Sequence, residues 1–492
     1  MSSDDTVTLV TSVIVPPGVP GMSAWGMGAL ALGGLLIVAR RRRCRTDRAR
    51  YDGPVTPHHS GSEADPMLTI QQNERLTKVG PGTPMGELMR RYWQPVAASI
   101  DLSPRTPTKA LKVLGEELVL FRMRSGAVGL TQRACAHRGT SLVQGVPEPN
   151  GIRCCYHGWV YGADGQCIEM PNEPNQQFKH KIKILAYPVE ELGGLIFAYM
   201  GPQPAPLLPR WDLLVWDNIF RTVTFSEIPC NWLQCQENSL DPVHFEWLHG
   251  YYGRYWRELD SRDASGEDPD WASGTGAWNR QFSQPHTRIG FDRFKYGIIK
   301  RRITEGIDAD HADWRIGHPI GFPNFVRVGA KWAHSIQWRV PIDDETTLGV
   351  RLMCTVPKPG ETAADPNHVP SEVLPIYDGD GNFIVDLVLN QDHMAWVSQS
   401  PITNRATESL NTTDIGLIMF RRMLDEQIAI VADGGDPMNT FRDPAENECI
   451  VLPQEDSFYP GYDEPGGPFS AETHGSSEVE AELDTSYVHG PQ

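Results

Sequence analysis

Two Cys/His pairs constrain this 492-residue chain more than any other feature. Cys135-Ala-His137 is followed, after 16 residues, by Cys154-Cys-Tyr-His157-Gly-Trp. Each pair is short enough to sit in one turn, and the hairpin-length stretch between them lets the two turns meet. Convergence would set two thiolates and two imidazoles around one centre. Two chemistries use that donor set: a tetrahedral zinc ion, and a [2Fe–2S] cluster with Cys on one iron and His on the other. Zinc fingers pair Cys with Cys and His with His along the chain. Here each pair is mixed, and Gly-Trp follows the last His, which favours the cluster. Replacing two anionic thiolates by neutral imidazoles lifts the potential to about −150 to +300 mV. Such a centre can accept electrons from a flavin or ferredoxin and pass them to an iron–oxygen species.

A second constellation lies in Asn231–Gly250, NWLQCQENSLDPVHFEWLHG, which carries Asp241, His244 and His249. Asp241 and His244 are three apart and share a helix face, so the Asp241 carboxylate can accept a hydrogen bond from the His244 ring N–H that holds no metal. His244 and His249 are five apart, so on a regular α-helix they point about 140° away from each other. Both reach one ion only if the helix is distorted, as by a π-bulge, or loosens in its last turn at Gly250. Two His and a carboxylate form the facial triad of non-haem Fe(II) oxygenases, which leaves positions open for O₂. The carboxylate must then come from elsewhere in the chain.

The surroundings differ along the sequence. Residues 108–200 read as short strands with turn signals, a small all-β domain. Residues 201–440 mix strands such as KWAHSIQWRVPI with helical stretches at Asp386–Ser398 and Asp414–Val431, an α+β domain. From about Met67 to Arg105 the apolar spacing is helical, with Trp93 closing it. The expected division is 1–66, an apolar segment and linker; 67–200, the cluster domain; 201–440, the catalytic domain; and 441–492, an acidic, disordered tail. The net charge of −18 argues against nucleic acid, which wants a basic face. Twelve acids against one Arg from Phe441 onward place −11 of it in the tail. Nine Cys is an odd number and no disulfide framework; it fits a reducing, cytoplasmic setting, with Cys167, Cys230, Cys235 and Cys354 as core residues. Gly21–Ala39 is 19 residues of nearly unbroken apolar character before Arg40–Arg43. Three readings stand for it: a membrane anchor, a removable leader, or a stretch upstream of a coding start at Met67.

RACAHRG and RCCYHGW resemble the two cluster-binding loops of the Rieske aromatic-ring oxygenases, and the likeness runs over nearly all of Met67–Val431. Respiratory Rieske proteins carry an extra Cys in each loop, where this chain has Thr140 and Tyr156. Cys155 stands where the family usually has Pro and reads as a small buried thiol. The resemblance implies a Rieske domain followed by a helix-grip catalytic domain, one [2Fe–2S] cluster on Cys135, His137, Cys154 and His157, and one mononuclear Fe(II) on His244 and His249. It points to Asp392 as third ligand, with Asp386 the runner-up because an Asp inside an apolar run needs a partner. His393, beside Asp392, reads as structural. The resemblance further makes Asp241 an electron bridge between His244 and His157 of a neighbouring subunit, and puts Asn238 just behind the metal. The sequence around both motifs is similar to the phthalate dioxygenase, phenoxybenzoate dioxygenase and dehydrodivanillate O-demethylase group. This implies hydroxylation or O-demethylation of an aryl carboxylate or ether, a homo-oligomer (a trimer), and NAD(P)H electrons through a separate flavin/ferredoxin reductase. No nucleotide-binding Gly-rich turn is present for an in-chain reductase. A Rieske electron-transfer protein without oxygenase activity is the alternative.

Overall fold

The computed structural model describes residues 68–256, 283–330, 333–357, 361–363 and 368–453. The apolar run 21–39, Met67 and the chain beyond 453 lie outside the described residues. Among those described, no helix is long and apolar enough to cross a membrane.

Helix α1 (Ile70–Thr77) starts at a reciprocal cap between Thr69 and Gln72. The Gly80-Pro81-Gly82 turn ends it, and α2 (Pro84–Met89) follows with Pro at its first position. The helical reading of 67–105 holds no further. Trp93–Ala98 is a strand, β1, buried at all six positions. A strand covered on both faces loses the polar alternation that would reveal it.

Strands β2 (Thr108–Val113), β3 (Glu116–Arg122) and β4 (Val128–Gln132) form a meander. A second small sheet follows: β5 (Val146–Glu148), β6 (Gly151–Arg153), β7 (Val160–Tyr161) and β8 (Cys167–Glu169). The chain then returns through β9 (Ala186–Tyr187), which pairs with β4, to β10 (Val189–Leu192) and β11 (Leu195–Tyr199) beside β1. This is the all-β region the sequence announced.

The second half is one eight-stranded sheet. It uses β12 (Phe220–Ile228), β13 (His286–Phe294), β14 (Gly297–Thr304), β15 (His318–Gly321), β16 (Phe325–Ala330), β17 (Ala333–Pro341), β18 (Thr347–Thr355) and β19 (Ser371–Val373), in the order β13-β14-β15-β16-β17-β18-β12-β19. Three helices pack with it: α3 (Trp232–Ser239), α4 (Val388–Val397) and α5 (Ile415–Ala432). Alternation along the central strands sorts their side chains. Val223, Ile336, Trp338, Val350 and Leu352 enter the main core, while Thr224, Gln337, Arg339 and Arg351 line a cavity with residues of α4.

The main core also takes in Leu76, Met85 and Leu88 of the first two helices, with Phe420 and Leu424 of α5. The segment before β2 thus shares a core with the large sheet. Residues after Phe441 also join it: Leu207 N–H donates to the Phe441 carbonyl at 2.8 Å and Asp212 N–H to the Ile450 carbonyl at 3.0 Å. The acidic segment expected from 441 is therefore bound to the fold at least as far as the buried Leu452.

Two candidate metal centres

The first centre is built from two loops of the same design. In one, Cys135 N–H donates to the Thr140 carbonyl and Gly139 N–H to the Cys135 carbonyl, each at 2.9 Å. In the other, Cys154 N–H donates to the Trp159 carbonyl at 2.8 Å and Gly158 N–H to the Cys154 carbonyl at 3.0 Å. Gly139 and Gly158 sit at φ +73° and +77°, in the left-handed region that favours glycine. Each loop turns its first Cys inward and its His outward. Cys135 and Cys154 are buried, whereas the His137 and His157 rings lie 4.5 Å apart, centre to centre, at the surface. Trp159 stacks on His137 at 4.6 Å, and the Tyr161 hydroxyl lies 3.1 Å from Cys135 Sγ. Burial pushes the Cys135 thiol pKa up, with the neighbouring Cys154 adding to it, so the thiolate form needs a metal to hold it. Two buried sulfurs beneath one exposed and one half-buried imidazole fit the Cys₂His₂ donor set of a [2Fe–2S] cluster, which these four residues would hold.

One reading of the loop is corrected. Cys155 is exposed, not a buried thiol. It occupies the middle of the turn, where the backbone aims Cys154 at the core and its successor at solvent. Cys167, Cys230, Cys235 and Cys354 are all buried.

The second centre depends on a π-helix. Phe245–Tyr252 is wound with wider turns than an α-helix, directly after His244. A π-helix bonds residue i to i+5, so a five-residue spacing that diverges on an α-helix falls on one face here. Gly250 permits the close packing: a Cβ there would come within 2.8 Å of Ser283 Cα. The helix before it is pinned by buried polar side chains rather than by an apolar stripe. Asn231 caps α3 and donates to the Thr77 and Asp344 carbonyls. Gln234 donates to the Trp396 and Ser400 carbonyls, and Glu237 pairs with Arg405 and Arg421.

His244, His249 and Asp392 come together, their ligand atoms within 4.8 Å of one another. Asp392 Oδ1 lies 3.2 Å from His249 Nε2 and 3.8 Å from His244 Nε2. The other ring nitrogens are engaged: His244 Nδ1 meets the Asp241 carbonyl at 2.5 Å, and His249 Nδ1 meets Gln391 Oε1 at 3.0 Å. Each acceptor fixes an Nδ1–H tautomer and leaves Nε2 as the free donor to a metal. Gln391 is itself held, its amide donating to the Val385 carbonyl at 2.9 Å. Sequence reasoning missed it; adjacency to Asp392 was its only signal. Burial would raise the Asp392 pKa, but the neighbouring His249 ring, and after it His244, outweigh that and hold the carboxyl below its usual range. The donor set fits a divalent iron: two neutral imidazoles and one carboxylate, mostly buried.

Asp386 is exposed and outside this group; α4 begins only at Val388. His393 is buried against Trp396 at 5.4 Å, turned from the three donors. Asp241 behaves differently from expectation. Its carboxylate was expected on the His244 ring, yet the backbone carbonyl takes that place and Oδ2 stays 4.0 Å from Nδ1. Oδ1 instead accepts from the Val243 and His244 N–H groups at 2.7 and 3.4 Å, since the chain restarts a helix after Pro242 and needs a cap there. Asn238 is half-buried on α3 and acts through its carbonyl, which accepts from Asp241 N–H at 3.1 Å.

The Rieske [2Fe-2S] domain family matches residues 92–188. A 5,5'-dehydrodivanillate O-demethylase oxygenase subunit of Sphingobium sp. (strain SYK-6) is 41% identical over 392 residues, covering 79% of this chain and 87% of its own length. The phenoxybenzoate dioxygenase subunit alpha of Ectopseudomonas oleovorans is 32% identical, over 82% of this chain and 96% of its own. NdmA of Pseudomonas putida CBB5, in its structure with caffeine, has a similar fold: TM-score 0.52 at 20% identity, over 71% of this chain and 94% of its own. With two donor sets assembled and relatives aligned over most of their length, the chain belongs to the Rieske non-haem iron oxygenases, the oxygenase subunits that carry one [2Fe–2S] cluster and one mononuclear iron.

Proposed function

We propose that this oxygenase hydroxylates or O-demethylates an aromatic substrate bearing a carboxylate or an ether, drawing electrons from NAD(P)H through a separate flavin/ferredoxin reductase. The convergence of His244, His249 and Asp392 carries the reading. A Rieske electron carrier needs no second metal group, and the relatives named above are, by their names, an O-demethylase of 5,5'-dehydrodivanillate and a dioxygenase of phenoxybenzoate. In this reading Cys135, His137, Cys154 and His157 hold the cluster and His244, His249 and Asp392 hold the iron. When bound, the cluster supplies electrons and the iron supplies open positions at which O₂ is activated.

The chain's own residues then do three things. Asp241 and Gln391 fix the tautomers of His244 and His249. Trp159 and Tyr161 pack the cluster loops while leaving the His edge at the surface. Asp241, a third of its side chain exposed, offers a carboxylate toward a neighbouring subunit as the electron bridge of a homotrimer, with Asn238 supporting its backbone. The chain falls into a cluster region to about residue 200 and a catalytic region after it. The eight described cysteines are free thiols, and we place the working enzyme in the cytoplasm.

The test is substrate-dependent NADH and O₂ consumption with a surrogate reductase, over phthalates, benzoates and methoxyarenes, on protein carrying about three irons per chain. Zinc in place of cluster iron, or O₂ uptake indifferent to every aromatic offered, would sink the reading.

A further inference from the structure

The segment 171–185 is tied at its two ends to the two cluster loops. At one end Pro171 lies against Gly158, where an added Cβ would come within 3.1 Å of the Pro171 Cγ. At the other, Leu185 N–H donates to Gln132 Oε1 at 3.0 Å, and the Leu185 carbonyl accepts from Gln132 N–H at 2.8 Å. Gln132 stands just before the loop of Cys135. Between these ties the chain makes a 3₁₀ turn, Phe178–Lys181, and then runs beside β8. There Cys167 N–H donates to the Ile182 carbonyl at 3.0 Å and Ile184 N–H to the Gly165 carbonyl at 2.9 Å. Alternation sorts the side chains of this run. Ile182 and Ile184 turn into the core that holds Cys135 and Cys154, so Lys181, Lys183 and Leu185 face solvent.

This face is basic in an acidic chain. Residues 130–185 hold six Lys and Arg against four acids, whereas the whole chain carries −18. The acids close by are engaged: Arg153 holds both Glu148 and Glu169, and Glu173 accepts from Asn175 N–H at 2.8 Å. Lys179 also acts on Glu169, after Arg153. On the loop side Arg138 lies exposed over the Tyr156 ring at 5.6 Å, beside His157. Exposed apolar side chains stand among these charges: Tyr156, Ile168, Phe178 and Leu185. A run of solvated lysines is ordinary by itself. This one borders an apolar surface next to the one exposed cluster imidazole, His137, which marks a contact surface.

We propose that this face docks the acidic surface of an electron-transfer protein, with Lys179, Lys181 and Lys183 steering its approach and Tyr156, Phe178 and Leu185 as apolar contacts. The inference rests on the reading above, in which a separate protein supplies the electrons, and adds where that protein docks and the sign of its charge. A donor that must arrive and leave in each turnover needs fast encounter more than a tight complex, and complementary charge acts mainly on encounter. His157 is half-buried while His137 is exposed, so His137 is the ring a visiting protein meets.

Cluster reduction without aromatic substrate or O₂ is the readout, which separates this from failure of the reaction assignment. Holoenzyme is mixed anaerobically with a reduced plant-type [2Fe–2S] ferredoxin of net negative charge. The second-order rate constant should fall about 10-fold between roughly 20 and 200 mM NaCl. Lys181→Glu combined with Lys183→Glu should lower the low-salt rate about 10- to 100-fold and flatten its salt dependence. Adding Lys179→Glu should lower it further, while Lys181→Arg with Lys183→Arg should keep the wild-type rate. The Rieske absorption and the rate of reduction by dithionite should stay near wild type throughout. An unchanged ferredoxin rate in the Glu variants, a wild-type rate that rises with salt, or equal slowing with dithionite would each overturn the proposal. A changed oligomer size in the Glu variants, read by light scattering, would give this face to a neighbouring copy and overturn it too.

Discussion

At the residue scale, one carboxylate decides whether the second half of the chain is a metal centre. Asp392 Oδ1 is the atom both His Nε2 groups face, and burial leaves few waters to replace it. Asp392→Ala should lower iron from about three to about two per chain while the Rieske absorption stays unchanged, because the cluster loops lie on other sheets. Metal analysis beside visible spectra checks this; unchanged iron content would move the ligand elsewhere. The preference for Asp392 over Asp386 was open in the sequence, since both lie near an apolar run. Only the start of α4 at Val388 separates an exposed Asp from a buried one.

At the scale of elements, the π-helix and α3 set the geometry. Gly250→Ala should force Cβ against Ser283, costing about 1–3 kcal/mol and turning His249 away from His244. Reduced iron affinity with an intact cluster is the expected result, read by metal titration; a wild-type affinity would mean that Ser283 yields freely. Helix α3 is tethered by Glu237, whose pKa burial would raise but which Arg405 and Arg421 hold below the usual carboxylate range. A depressed carboxyl stabilises above its unfolded pKa of about 4.3 and loses that contribution as pH falls through the lower, folded value. Glu237→Gln should therefore cost about 3–5 kcal/mol near neutrality, with the gap to wild type closing below about pH 4. Urea midpoints at pH 7 and below 4 measure it, and a gap independent of pH would refute the charge argument.

At the scale of the whole molecule, the two centres sit on different elements and the His137/His157 edge faces outward. An edge at the surface can serve a partner reductase and a neighbouring subunit alike. If electrons cross between subunits, mixing Cys154→Ser chains, lacking a cluster, with Asp392→Ala chains, lacking the iron, should restore part of the activity that neither homo-oligomer shows. Turnover after co-refolding, with the oligomer size measured by light scattering, tests this. No recovery in verified mixed oligomers would confine the electron path to one chain.

The donor sets were legible in the sequence because the candidate ligands come in short-range pairs. Cys135/His137, Cys154/His157 and His244/His249 need only local loops to meet, and their spacing names the donor set; the need for a distorted helix followed from five residues at about 100° each. Strands of the cluster region were legible for the same reason, through closely spaced turn signals. What the sequence left open is long-range or rests on backbone atoms. β1 read as helix because burial on both faces erased its alternation. Asp241 was given a side-chain contact that its carbonyl makes, since which of two oxygens in one residue reaches a ring depends on where the turn restarts after Pro242. Gln391 behind His249, 142 residues apart, and Arg351 beneath α4 are brought to their places by sheet register and helix packing. Those contacts belong to no local pattern, and only the folded chain decides them.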